Sequence, residues 1–476
     1  MSECNPTFDP VTNPTHLEED VAVRKGRIEY MDLDWIRMFF NFIDFMPPTA
    51  STFEFEEDGD AEGWQAWGPG TTPATASGGA LRVDYIDTPT FDPYIISPAG
   101  MEIDTSVQRY LVLDVDLTAA DDTPQNFEFF FHHAGGGFTG ALRHAFPVTP
   151  NRGMQRIVVD LAEAIPTTWT GTVVRYRIDP GSNKAKLVGH SCAFDFIGVV
   201  RDPANPESEP LAYRWDSTDM ESHYRSLQDW QEIGAEINVT MVEWGSNLAQ
   251  LYGNRARTAR YVGDLMKHLI VDKGFTCVKY WTASNEPNHL VVNGNLESFD
   301  AWTDYHARVK EHFDRHGLDV RIVGSDDAHG PVWFNKCVSD PAHSALVDVY
   351  SSHQYFWHDQ QHVQGLYFDE FLSMIEAYPP AKPFVVAEFG FHDSRTGPAV
   401  GNPVQKEYPY AVWTTNAFIV GMNRGLAGGN IWTLFDSWYL EDPIAFKDFH
   451  GCWGYKNIPG RPDWEVYPVY HALAMF

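Results

Sequence analysis

Hydrophobic and polar positions change their rhythm twice along the chain. The segment Trp35-Ile36-Arg37-Met38-Phe39-Phe40-Asn41-Phe42 is almost continuously apolar, as a strand buried on both faces should be. From about Ser51 to Asp202 the chain breaks into short alternating runs with Gly, Pro, Asp and Thr between them. Leu81–Tyr85, Tyr110–Asp116, Phe127–Phe131 and Gln155–Asp160 are examples. Period-two alternation with frequent turn residues predicts an antiparallel β-sandwich. After about Pro210, helical periodicity alternates with short apolar runs. Helices are expected over Tyr224–Gly234, Thr258–Lys273, Phe299–His316, Phe368–Ala377, Tyr410–Arg424 and Tyr467–Phe476. Strands are expected over Ile237–Trp244, Cys277–Ala283, Val320–Gly324, Val347–Ser352, Phe384–Ala387 and Asn430–Leu434. Adding the run at Trp35 and a short one at Tyr213-Arg214-Trp215 brings the strands to eight. Strand–helix alternation implies a parallel sheet with helices outside. The predicted fold class is therefore α/β, a (β/α)8 TIM barrel with an inserted antiparallel β-sandwich domain. The expected boundaries are an irregular lead-in over 1–20, a barrel over 21–48 and 203–476, and a sandwich over 49–202.

The chain of 476 residues is 43% hydrophobic, enough for a large core. A net charge of −31, from 34 basic and 65 acidic side chains, argues against nucleic acid and anionic membranes as partners. It also disfavours a strongly anionic polysaccharide. The five cysteines Cys4, Cys192, Cys277, Cys337 and Cys452 are scattered without a CxxC. Buried thiols are expected rather than a zinc site or a disulfide framework. The N-terminus has no basic and apolar leader, which predicts either a cytoplasmic protein or a chain whose signal has been removed. No apolar stretch is long enough to span a membrane.

Two apolar runs end in glutamate. Val278-Lys279-Tyr280-Trp281-Thr282-Ala283 leads to Asn285-Glu286-Pro287-Asn288, and Phe384-Val385-Val386-Ala387 leads to Glu388. Parallel barrels carry their chemistry at the C-terminal ends of their strands. Two carboxylates facing one another there can hydrolyse a glycosidic bond. Pro287 should keep its predecessor extended, and Asn285 can hydrogen-bond a sugar hydroxyl. At about 5 Å separation only one of the pair ionises cheaply. The protonated carboxyl is the general acid, and the charged one attacks the anomeric carbon. Arg37 and Tyr355 are candidates to hold that charge.

His353-Gln354-Tyr355 and Trp432 complete a set that resembles the clan A retaining glycoside hydrolases. The resemblance implies Glu286 as acid/base and Glu388 as nucleophile. It also implies Asn285, His353 and Tyr355 around them and Trp432 as floor of the sugar site. The Asn-Glu-Pro-Asn form and the ending Tyr467-Pro468-Val469-Tyr470-His471-Ala472 most resemble the β-xylosidase and iduronidase branch. The large insertion after the first strand is not the usual form of that branch. Within the insert, Phe53-Glu54-Phe55 through Gly63-Trp64 resembles the opening of carbohydrate-binding sandwich modules. The alternatives there are a lectin-like module, an added wall of the substrate cleft, or a structural or oligomerising insert.

Further polar residues at strand ends are Asp216, Glu243, Asn247, Asp326, Asp327 and Asp436. Trp244, Trp281, Trp333, Trp357 and Trp438 are candidate stacking platforms, Trp244 being placed in the substrate site. The acidic run Glu57-Asp58-Gly59-Asp60 could hold calcium or simply be solvated. The spacing of His358 and His362 reads as coincidence. No cofactor or metal is expected, and the partner is an oligo- or polysaccharide. The rival readings are a non-catalytic carbohydrate-binding barrel and a transglycosylase with the same carboxylate pair.

Overall fold

The computed structural model describes residues 35–46, 51–55, 58–206, 213–242, 255–292, 298–328, 330–357, 364–392, 406–431 and 465–475. The chain divides into two compact units. Met1–Phe45, Trp215–Ala249 and Thr258–Phe476 form the first, and Met46–Arg214 with Gln250–Arg257 the second.

In chain order, β1 (Trp35–Asn41) begins the first unit and twelve strands of the second unit follow. These are β2 (Thr52–Phe53), β3 (Gln65–Ala66), β4 (Thr75–Ala76), β5 (Leu81–Asp84), β6 (Ile95–Ile96), β7 (Ile103–Asp104), β8 (Tyr110–Leu117), β9 (Gln125–His133), β10 (Arg143–Val148), β11 (Gln155–Asp160), β12 (Thr172–Asp179) and β13 (Ser191–Val200). The first unit resumes with β14 (Glu236–Val242), β15 (Val278–Thr282), β16 (Arg321–Ala328), β17 (Val349–Trp357), β18 (Phe384–His392) and β19 (Gly428–Ile431).

The first unit is mixed α/β. Its sheet is seven-stranded, in the order β1-β14-β15-β16-β17-β18-β19, and every pairing is parallel. The expected strand at Tyr213–Trp215 does not form. Instead β1 pairs directly with β14, Trp35 opposite Glu236 through Asn41 opposite Val242. That short run lacks the apolar length to add a rung to the ladder. Among the described residues no strand joins β19 to β1.

Helices follow the strands and bury apolar stripes. Thr218–Glu232 starts on Ser217, whose hydroxyl accepts the Met220 amide. Phe299–His316 starts on Ser298 and ends at Gly317 with φ +65°. Both are ordinary capping chemistry. Trp230, Trp281 and Trp302 are fully buried among these elements, so Trp281 is core rather than a sugar platform. Trp333 is half-buried against Phe299 and donates to the Ser325 carbonyl at 3.3 Å. Trp357 is 39% exposed. Trp244, Trp432, Trp438, Glu243, Asn247, Asp436, His358 and His362 lie outside the described residues. No helix among the described residues is long and apolar enough to cross a membrane.

The second unit enters the chain between the neighbouring strands β1 and β14. It is built of two antiparallel six-stranded sheets. One runs β10-β9-β12-β6-β3 with β7 beside β12, the other β11-β8-β13-β5-β4 with β2 beside β13. Alternate residues of both sheets face inward. Phe127, Phe129, Phe131, Tyr176 and Ile178 meet Leu111, Leu113, Val115, Phe194 and Ile197 in one core. Trp64 belongs to that core, edge-on to Phe53 at 5.4 Å. In the acidic run, Asp58 accepts the Gly78 amide at 2.6 Å and Asp60 the Glu62 amide at 2.8 Å. One oxygen of each carboxylate thus accepts a turn amide. Cys192, Cys277 and Cys337 are free, buried thiols.

Candidate functional site

A guanidinium at the centre of the first unit organises the site. Arg37 comes from the middle of β1 and is fully buried. A buried charge persists only when paired and hydrogen-bonded. Its Nε donates to Thr240 Oγ1 on β14 at 2.9 Å. Nη2 donates to Asp326 Oδ2 at 2.6 Å and to Asn285 Oδ1 at 3.0 Å. Nη1 donates to Glu388 Oε1 at 3.1 Å and lies 3.1 Å from His353 Nε2. One side chain thereby ties together β1, β14, β16, β17, β18 and the turn after β15.

Glu388 lies inside β18, not after its end, because the strand runs on to His392. Phe389 and Phe391 are buried and keep the ladder favourable. Glu388 is 5% exposed and stands opposite His353 across the β17–β18 register shift. Its Oε2 accepts the Tyr355 hydroxyl at 2.9 Å.

Glu286 follows β15 with φ +52°. Pro287 does not hold it extended. Proline is instead the first residue of the short helix Pro287–Val292, where its missing N–H costs nothing, and Glu286 turns the corner in the left-handed region. Such a residue is held against roughly 1–3 kcal/mol of backbone strain. Asn288 supplies part of the hold. Its Oδ1 accepts the Ala328 amide at 2.9 Å, and its Nδ2 donates to the Ala328 carbonyl at 3.4 Å. Ser325 and Asp326 also have positive φ, +68° and +41°. Here Ser351 supplies the hold, its Oγ accepting the Asp326 amide at 3.1 Å and donating to Asp326 Oδ1 at 3.1 Å.

His353 joins the two glutamates. Its Nδ1 lies 3.0 Å from Glu286 Oε1 and 3.3 Å from Glu388 Oε2. One oxygen of each carboxylate and a ring nitrogen of His353 all lie within 4.8 Å of one another. These three residues are the one group among the described residues whose atoms converge closely enough to hold a metal ion. Arg37 and the hydrogen bond from Tyr355 occupy the Glu388 oxygens, so the arrangement suits a proton-sharing cluster better than a cation. His289 Nδ1 reaches Glu286 Oε2 at 3.3 Å from a more exposed position.

Charges set the protons. Burial alone would lower the His353 pKa, but the charges of Glu388 and Asp326 raise it to about 10. Burial also works to raise Asp326, yet the Arg37 charge and His353 hold its carboxyl below the usual range. Glu286 is held low in the same way, the hydrogen bond and charge of His353 outweighing its burial. For Glu388 burial prevails over the charges of His353 and Arg37, and its pKa is raised. The two glutamates are therefore ordered oppositely to an acid at Glu286 and an anion at Glu388.

Of the expected site residues, Arg37, Asn285, Glu286, His353, Tyr355 and Glu388 converge. Trp432 and Trp244 lie outside the described residues. Asp326 had no role beyond strand-end polarity, yet it is the closest partner of Arg37. An arginine alone in an apolar strand demands a buried acid, and that was the available signal. Asp327 turns into another pocket of the same strand pair, accepting the Gly330 amide at 2.7 Å and the Ser352 hydroxyl at 3.1 Å. Asp216 is exposed.

No protein-family model matches the chain, and no curated protein matches it. Among solved structures, a monomeric β-xylosidase from Caulobacter crescentus CB15 is similar at 15% identity over 56% of this chain and 57% of that one, with a TM-score of 0.43. This chain thus spans somewhat more than half the length of that xylosidase. The N-terminal endo-1,4-β-D-xylanase 10B of Clostridium thermocellum, its CBM22-1 and GH10 modules complexed with xylohexaose, is similar at 10% identity over 90% of this chain and 97% of that one, TM-score 0.38. A complex structure of a GH113 β-1,4-mannanase is similar at 14% identity over 54% and 77%, TM-score 0.35. By their descriptions these three solved structures are glycoside hydrolases.

Proposed function

We propose that the chain is a retaining glycoside hydrolase of the clan A type, acting on β-linked glycosides or polysaccharide, with Glu388 as nucleophile and Glu286 as acid/base. The observation that carries this reading is the approach of the two carboxylates to within 4.8 Å across one imidazole. Retaining enzymes hold their carboxyl groups about 5–5.5 Å apart, whereas inverting ones leave room for a water at about 6.5–9.5 Å.

In the first step the Glu286 carboxyl gives its proton to the glycosidic oxygen. The Glu388 carboxylate attacks the anomeric carbon as the bond to the leaving group breaks, forming a glycosyl ester. In the second step Glu286 takes a proton from water, the water oxygen attacks the same carbon, and the ester bond breaks to free Glu388. Arg37 and Tyr355 each donate a hydrogen bond to Glu388, which favours the charged form once substrate excludes water. The Glu286 side chain is 27% exposed. A sugar seated over it removes that exposure, and burial raises a carboxyl pKa. Substrate thereby reverses the resting order of the pair. Esterified Glu388 carries no charge, so its repulsion of Glu286 vanishes, the Glu286 pKa falls, and the residue is ionised and ready to accept a proton from water.

The same reading closes the sheet into an eight-stranded barrel. Within the clan, the Asn285-Glu286-Pro287-Asn288 form and the ending Tyr467-Pro468-Val469-Tyr470-His471-Ala472 most resemble the β-xylosidase and iduronidase branch.

The test is turnover of aryl β-glycosides by wild type, Glu388→Gln and Glu286→Ala, with product anomers followed by NMR. We expect β product first from wild type and loss of turnover in Glu388→Gln. Glu286→Ala should lose roughly 10²–10⁴-fold and recover with azide, which needs no base. Near-normal turnover by Glu388→Gln, or α product first, would overturn the assignment.

A further inference from the structure

Each sheet of the second unit has two end strands, and three of these four are shielded against a further strand. β3 and β4 are only two residues long. β10 carries Pro147, which has no amide to offer a neighbour. The fourth, β11, runs Gln155-Arg156-Ile157-Val158-Val159-Asp160 with neither proline nor lysine. It pairs with β8 on one side, and among the described residues no strand pairs with its other side.

Register decides which backbone groups face that open side. The Leu161 amide donates to the Arg109 carbonyl at 2.8 Å, just past the end of the ladder, where Asp160 stands opposite Tyr110. Bonded pairs alternate along an antiparallel ladder. Ile157 and Val159 therefore bond to β8, and the amides of Arg156, Val158 and Asp160 point to the open side. The side chains of Ile157 and Val159 pack on the sandwich core, so Arg156, Val158 and Asp160 lie on the opposite face of the sheet. Val158 is 47% exposed.

We propose that β11 is a self-association edge, through which two copies of this chain pair antiparallel about a two-fold axis at Val158. The charges of the strand select the partner and the register. Arg156 and Asp160 stand equally far on either side of Val158. An antiparallel copy centred there sets Arg156 opposite Asp160 of the second copy, and Ile157 opposite its Val159. Moving the axis to Ile157 or Val159 loses both charge matches. The rows continue into β8. Arg156 donates to Asp114 at 2.8 and 2.6 Å, and Asp160 accepts from Arg109 Nε at 3.2 Å. Each row across the joined sheets thus reads Asp114, Arg156, Asp160, Arg109, acid and base in alternation, and opposite charges across strands are the favourable pairing. In a chain of net charge −31, two copies repel one another over most of their surface. At this edge they meet without like charges facing. The contact is isologous, as a closed dimer requires. A ribbon of this size falls short of the roughly 1,200 Å² of a stable interface, so the association is reversible and rises with concentration. It does not rest on the catalytic reading of the first unit.

Sedimentation velocity of the full chain, from micromolar to near-millimolar concentration, is the test. We expect a monomer at the low end and a growing dimer fraction toward the high end. Val158→Lys sets two ammonium groups face to face at the axis and should weaken the dimer more than about tenfold, whereas Val158→Thr should leave it near wild type. A second readout fixes the register. Residues of a bonded antiparallel pair have Cα atoms about 5.5 Å apart, within reach of a disulfide. Val158→Cys, with oxidised glutathione as the electron acceptor, should give a covalent dimer on a non-reducing gel. Met154→Cys, equally exposed at 47% but four residues from the axis, should not, and wild type with its five native cysteines is the blank. A monomer at every concentration, a dimer that Val158→Lys leaves intact, or crosslinking of Met154→Cys as full as that of Val158→Cys would overturn the proposal. Were Val158→Lys to lose its fold, the cysteine pair would still decide.

Discussion

Replacing Arg37 by methionine tests the electrostatic centre of the first unit. Methionine matches the length of the aliphatic stem but takes away the charge and five donors. Asp326 and Glu388 would then be left at 1% and 6% side-chain exposure with His353 as their shared cation. Breaking a buried pair from one side typically costs about 3–5 kcal/mol, and here two pairs break at once. The loss should depend on pH in a revealing way. In wild type the Asp326 pKa is lowered, so its contribution is present above the unfolded-state pKa and is lost as pH falls through the folded one. In Arg37→Met the guanidinium that holds Asp326 down is gone, and burial should raise its pKa above the unfolded value. That variant is penalised progressively as pH rises through the new value, so its deficit relative to wild type should shrink in acid and grow toward neutrality. Chemical denaturation across the acid-to-neutral range reads both. Adding Asp326→Asn to Arg37→Met should recover part of the loss, since the pair is then removed from both sides. A deficit below about 0.5 kcal/mol, or one that does not change with pH, would refute the reasoning.

Tyr355→Phe removes one hydrogen bond to Glu388 and nothing from the core, so stability should hold. Turnover should fall about tenfold to a hundredfold, the worth of a hydrogen bond to a charged group at roughly 1.5–3 kcal/mol, read as kcat on an aryl glycoside. Asn288→Ala releases the clamp between Ala328 and the turn that carries Glu286. We expect kcat to drop with KM little changed, and Asn288→Asp to restore only the contact to the Ala328 amide. Burial raises the Asp327 pKa to about 7, above its unfolded value, so the stability it allows is full in acid and lost as pH rises through neutrality. Asp327→Asn should therefore gain on wild type above pH 7, a difference that thermal melts on either side of that value would register.

The parallel sheet was legible because its strands are continuously apolar, and the sandwich because its strands alternate. What local pattern could not supply was count and extent. Tyr213–Trp215 is too short for its pattern to separate a strand from a turn. Apolar pattern alone ends the strand carrying Glu388 at its first charge, whereas Phe389 and Phe391 on the far side carry it onward. Glu286 shows the same limit. The rule for residues before proline argued for an extended conformation, but the turn into a helix beginning at Pro287 and anchored by Asn288 overrode it. Asp326 was visible as an acid in a strand, but its pairing with Arg37 spans 289 positions and belongs to tertiary structure alone.

The neighbouring strands β1 and β14 bear on how the chain folds. Trp35 is hydrogen-bonded in register with Glu236, and everything between must be threaded before that ladder closes. For an unstructured loop, lengthening a connection from about 30 to about 200 residues adds roughly 1.7 kcal/mol of closure entropy. The sandwich removes most of that penalty by itself. Its first strand β2 pairs with its last strand β13, Phe53 opposite Ile197, so once it has folded its two ends emerge side by side. The long insertion then behaves, for the rest of the chain, as a short tether. Assembly in the order of synthesis would leave Arg37 waiting on an unpaired strand until β14 and later β18 arrive, so the cluster at Glu286 and Glu388 is among the last parts of the molecule to form.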